Sequence, residues 1–113
     1  MRFLFLLHGD DDGERQLAPE ARRAIVDEHI TFAGKLREQG KHVLGEALAG
    51  QGAAVVRPGN PPLVTDGPFA TTRETIGGFY VVECASRDEA IALAARVPRS
   101  PGLAVEVLQI AEV

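Results

Sequence analysis

Leu63-Val64-Thr65-Asp66-Gly67-Pro68-Phe69-Ala70-Thr71-Thr72-Arg73-Glu74-Thr75-Ile76-Gly77-Gly78-Phe79-Tyr80 sets two apolar segments around a tight turn, a polar link and a pair of glycines. An Asp that opens a turn hydrogen-bonds a backbone N–H two residues on, Gly tolerates positive φ, and Pro restricts φ to a value that turns need. The chain is therefore expected to reverse or kink between Asp66 and Phe69. Gly77-Gly78 removes side chains where a strand begins, which points to a bulge or to the close approach of a backbone or a ligand. The polar run Thr71 to Thr75 belongs on the surface. As a shaped connection between strands this stretch needs no chemistry; as a pocket-lining loop it brings Phe69 and Gly78 to a ligand.

Outward from this stretch the elements follow in both directions. Phe79 to Cys84 reads as a strand largely apolar on both faces. Ser86-Arg87-Asp88-Glu89 is a capping box that opens a helix through about Arg96, and Pro98 and Pro101 prevent its continuation. Leu103 to Ile110 is the last strand. Upstream, Ala53 to Arg57 and Leu63 to Thr65 are the arms of a hairpin across Pro58-Gly59-Asn60-Pro61. Pro61 and Pro62 donate nothing to a ladder, so this hairpin sits at an edge or projects. His42 to Leu48 is a further strand, with Gly45 and Glu46 in mid-run.

The first strand, Arg2 to His8, carries Phe3-Leu4-Phe5-Leu6-Leu7, apolar on both pleat faces. His8 to Glu14 reads as a loop dense in carboxylates. Three consecutive Asp point in divergent directions, unlike the alternate spacing of a calcium loop, which favours a solvated loop over a metal site. Pro19 suits a first helical turn and Gly40 a stop, which predicts one helix from Pro19 to Gln39. At 100° per residue, Ala21, Ile25, His29, Phe32, Ala33 and Leu36 form one stripe. His29 thus points inward, either as a neutral core residue bonded to a carbonyl or carboxylate, or as an acid–base group in a pocket.

Two strand–helix–strand units around one sheet predict an α+β, ferredoxin-like subunit with an extra β-hairpin. Two helices cover one face only, which leaves the apolar residues of the other face exposed. At about 25 cal/mol per Å², several hundred Å² left wet forgoes on the order of ten kcal/mol, so a homodimer is expected.

The chain has 113 residues, 45% of them apolar and 25% charged, as in a single soluble domain spanning 1–113. A net charge of −4 and the absence of Trp argue against nucleic acid as a partner. No apolar run is long enough for a bilayer and no targeting segment is visible, so no membrane partner is expected. Cys84, the only cysteine, reads as a small buried hydrophobe in a reducing, cytoplasmic setting. No nucleotide-binding or metal-binding motif is present, so no cofactor is expected.

Val64-Thr65-Asp66-Gly67-Pro68-Phe69, the following Glu74, Gly77-Gly78-Phe79-Tyr80, Asp88-Glu89-Ala90 and Val105-Glu106-Val107 resemble the DGPF branch of the YCII-related family over nearly the whole chain. The resemblance implies a dimeric α/β barrel, ferredoxin-like in each subunit, of the kind found in small bacterial proteins mostly without an assigned activity. Some relatives are thought to use a histidine from the first helix with an aspartate that precedes a proline near the second, and one branch acts as a dehydrochlorinase on chlorinated hydroquinones. His29 falls on the matching helix, whereas Val97 precedes Pro98 here. Asp66 and Glu46 are then the carboxylates to consider beside it.

Two functions of different class follow. In the first, a small-molecule enzyme, His29 shuttles a proton, Asp66 or Glu46 orients its ring, and Tyr80 donates to a developing oxyanion in an isomerisation or elimination on a small cyclic substrate. In the second, the same pocket belongs to a non-catalytic ligand-binding or regulatory module. The resemblance adds a link to transcription here, since such relatives occur beside or fused to sigma factors.

Overall fold

The computed structural model describes residues 1–50, 52–67 and 74–113. At its centre lies β1 (Arg2–Asp10), the strand without a polar face, paired antiparallel with β5 (Glu74–Glu83) on one side and β6 (Ala104–Gln109) on the other. β2 (His42–Ala47) joins the far edge of β5, giving the antiparallel order β2-β5-β1-β6. Helices and an antiparallel sheet together make the expected α+β fold.

Strand alternation decides the two faces. Phe3, Phe5, Tyr80, Val82 and Cys84 turn to one side, where Ala33 and Leu36 of α2 (Pro19–Glu38) and Ala90, Leu93 and Ala94 of α3 (Arg87–Ala94) complete the core. Leu4, Leu6, Phe79 and Val81 turn to the opposite side, away from both helices, and are only partly buried. The molecule measures 46 × 44 × 18 Å, the thickness of one sheet and one helical layer.

β3 (Ala54–Arg57) and β4 (Leu63–Asp66) form a separate antiparallel ribbon, with Val56, Leu63 and Val64 exposed. The radius of gyration is 15.7 Å, against the roughly 13 Å of a compact chain near this length. The excess fits a projecting hairpin, as the prolines between its arms predict.

Several boundaries differ from the sequence reading. The acidic segment after β1 is not a loop: Asp11–Arg15 is a short helix, α1, whose N-cap Asp10 accepts the Asp12 N–H at 3.1 Å. Carboxylates at a helix start meet its positive end, and Arg15 pairs with both Asp11 and Asp12. β4 continues through Asp66, and the Gly67 N–H donates to Ala53 O at 2.8 Å, so the first half of the expected turn still belongs to the ladder. Pro68 and Phe69 lie outside the described residues. β5 starts at Glu74 rather than Phe79, because Thr75 and Ile76 pair with Gly9 and His8. Leu7 pairs with Gly78 and His8 with Ile76, which leaves Gly77 as the extra residue of a bulge inside the strand. Finally, α3 stops at Ala94, short of Arg96.

The helix starts and stops otherwise follow their local chemistry. Gln39 and Gly40, the latter at φ 69°, end α2. Ser86 Oγ accepts the Glu89 N–H at 3.1 Å, and the Glu89 carboxylate returns to the Ala85 N–H at 3.4 Å. Among the described residues no helix is long and apolar enough to cross a membrane.

Candidate functional site

The apolar stripe of α2 carries His29 one turn before Phe32 and Ala33, above the face of the sheet on which Tyr80 lies. His29 Nδ1 and the Tyr80 hydroxyl share a hydrogen bond of 2.7 Å, and their rings lie nearly parallel, 5.9 Å apart at 17°. Phe32 meets the Tyr80 ring edge-on at 5.4 Å, and His42, from the start of β2, does so at 6.5 Å. Gly45 pairs with Tyr80 across β2 and β5 and makes room for the phenol; a Cβ there would stand 2.7 Å from Tyr80 Cδ1. The ring is thus fixed by an imidazole, two edges and a glycine floor.

Burial sets the protonation of the pair. It holds His29 below the usual histidine value of 6.5, with Glu28 opposing, and it raises Tyr80 above the usual 10.0, with Arg37 opposing. His42 is lowered as well, by burial first and then by Arg37. At neutral pH the His29–Tyr80 pair is therefore uncharged: an imidazole able to take a proton beside a phenol able to give one.

The pair opens on a cleft of about 320 Å³ between α2 and the β2–β5 edge of the sheet, walled by Leu7, Val26, Ile30, Ala33, Gly45 and Gly78, with Arg37 and His42 on its lining. A second hollow of about 420 Å³ shares Leu7, Val26, His29, Ala47 and Gly77 with it and continues towards Arg15 and Arg22. His29 stands where the two meet. Val26 is 55% and Ile30 64% exposed, so the helix side of the cleft has apolar lips open to solvent.

Of the residues singled out in the sequence, His29, Tyr80 and Gly78 come together here. Glu46 lines the cleft from β2 but pairs with Phe79, which puts its side chain on the face away from Tyr80. Asp66 is exposed on β4 and does not line either hollow. Among the described residues neither carboxylate bonds to His29; its partner is the phenol. Phe69 lies outside the described residues. Cys84 is buried and free, its thiol pKa pushed up by burial first, as suits an inert core residue. Among the described residues no three His, Cys, Asp or Glu side chains are grouped to hold a metal ion.

Arg37, His42 and Gly45 went unremarked as site residues in the sequence. Gly45 carried the one legible signal, a glycine in mid-strand, which marks a close approach of some other group. Nothing local ties Arg37 or His42 to Tyr80, since helix end and strand start meet only in the folded chain.

The family model of the YCII-related domain matches residues 1–113. The chain belongs to the YCII-related family. An uncharacterized protein of Rhizobium meliloti (strain 1021) is 59% identical over 29 residues, a match spanning 26% of this chain and 23% of that protein. In this YCII-related chain the helix histidine is paired with a tyrosine, and Val97 stands before Pro98.

Proposed function

We propose that this protein binds a small, partly apolar cyclic molecule in the α2 cleft and transfers a proton to or from it in an isomerase-like or lyase-like step. The observation that carries the reading is the 2.7 Å hydrogen bond between His29 Nδ1 and Tyr80, made inside a cleft large enough for a ligand of one ring. With Nδ1–H donating to the phenolic oxygen, Nε2 is left as the base, and the Tyr80 O–H remains to donate to a carbonyl oxygen that gains charge as the substrate loses its proton. Burial favours the protonation states that this division of roles needs. Asp66 plays no part in it.

The subunit in this reading is ferredoxin-like, and two subunits close into a dimeric α/β barrel through the sheet faces that carry Leu4, Leu6, Phe79 and Val81. The partial burial of these side chains on a face without helices supports that assembly. The free, buried thiol of Cys84 supports a cytoplasmic setting.

Deuterium uptake tests the chemistry directly. A panel of cyclic ketones and lactones incubated with the protein in D2O, followed by NMR, should include a compound whose acidic C–H exchanges, and His29→Asn should abolish that exchange while leaving the fold intact. Compounds that bind without exchange, throughout the panel, would identify a non-catalytic ligand-binding module instead. Unfolding of His29→Asn in the absence of any ligand would make His29 a core residue and remove both functions.

A further inference from the structure

Two clusters and one cation remain outside that reading: the Arg15–Asp11–Asp12 group, in which one cation is shared by two carboxylates; the His8–Glu106 pair on the open sheet face; and the cation at the end of the cleft, Arg37. Arg37 is the telling one. It lines the same cleft as the His29–Tyr80 pair, and among the described residues its guanidinium makes no ion pair. Glu46, the one carboxylate residue on that lining among the described residues, turns its side chain to the other face of the sheet. What remains on the helix side is one cation, two imidazoles and a phenol, set between apolar lips. Such a lining offers hydrogen-bond donors and positive charge, with no anion among the described residues to answer them on that side.

We infer that the cleft takes a small carboxylate built on one ring, its carboxylate held by Arg37 and its ring lying between Ile30, Ala33 and Gly45 with the far end at Tyr80. This rests on the reading of the α2 cleft as a ligand site and names the class of ligand. The dimensions agree. Residues 29 and 37 are eight apart on one helix, about 12 Å along its axis, and an extended arginine side chain bridges about half of that. A single ring bearing a carboxylate spans the remainder. A volume of about 320 Å³ admits such a molecule. Arginine also suits the task by geometry, since its planar fork meets a carboxylate through two parallel N–H donors. The influence of Arg37 on both Tyr80 and His42 is consistent with its charge being felt inside the cleft.

Benzoate and benzamide, equal in shape and different in charge, are the probes. Titrated into the full chain and followed by NMR shifts of the His29, His42 and Tyr80 side chains, benzoate should bind about tenfold more tightly than benzamide. Arg37→Gln should erase that preference without weakening benzamide, and Arg37→Lys should keep part of it. Added salt should weaken benzoate alone, which preserves the test if Arg37→Gln folds poorly. Equal affinities in the unaltered protein, or a preference that survives Arg37→Gln, would overturn the ligand class and leave the cleft as a site for neutral molecules. Failure of both probes to shift these side chains would overturn the class together with the ligand site.

Discussion

Tyr80→Phe deletes one oxygen and strands His29 Nδ1, which bonds to it at 2.7 Å. Tyr80 is buried but His29 only partly so, and the loss should be about 1 kcal/mol, read as a fall of about 5 °C in melting temperature. A change below the error of the melt would mean that the bond contributes nothing to stability. The pH dependence of His29 has a definite sign. Its folded pKa lies below 6.5 because burial penalises the imidazolium. Above 6.5 folded and unfolded chains are both neutral at this residue, and its full contribution is present. As pH falls below that value the unfolded chain takes up a proton that the folded His29 refuses, and stability is lost until the folded pKa is passed. Melting curves between about pH 8 and 5 should therefore decline towards acid, and less steeply in His29→Gln; an NMR titration of His29 above 6.5 would contradict this. His29 itself was legible from the stripe on its helix. Its partner was not, because Tyr80 lies fifty-one residues away on another element and a carboxylate was the more usual companion.

Elements are held here by glycines of two opposite kinds. Gly78 in β5 needs its missing side chain: a Cβ would stand 2.9 Å from the Glu46 carbonyl oxygen, a backbone atom of β2 that cannot turn away. Gly78→Ala should push β2 off β5 and cost about 1–3 kcal/mol by chemical denaturation, with disturbance of the cleft that the two strands wall. Among the described residues nothing beyond its own helix backbone lies within 4 Å of the Cβ position of Gly34 in α2. Gly34→Ala should accordingly stabilise the protein by about 0.5–1 kcal/mol, and a loss of stability instead would show that the helix is packed there. The sequence marked Gly77-Gly78 as a bulge or close approach, and it is both. It misplaced the start of β5, since Thr75 and Ile76 join the strand only through pairing with β1 beyond the bulge.

For the whole molecule the question is what lies on the open face of the sheet. Leu4, Leu6, Phe79 and Val81 lie there partly buried, and the proposed second copy would cover them with an identical surface. Sedimentation equilibrium should return twice the chain mass of 12.1 kDa, with a melting temperature that rises with protein concentration. Leu6→Lys combined with Val81→Lys should yield the monomer. A wild-type monomer at micromolar concentration would refute the dimer while leaving the His29–Tyr80 pair untouched.

The amino-acid sequence by itself determined every element but the short α1, their order and the two-sided greasiness of the central strands, because turn formers, caps and side-chain periodicity act over a few residues. It also nominated His29, Tyr80 and Gly78 through local oddities: a histidine on an apolar stripe, a tyrosine in a buried strand, a glycine pair. Only the tertiary structure decided which of these meet. Strand pairing turned Glu46 to the far face, set Asp66 on a separate ribbon, and brought His42 and Gly45 around a phenol. Contacts of that kind join residues far apart in the chain, and their geometry exists only once the sheet register has been chosen.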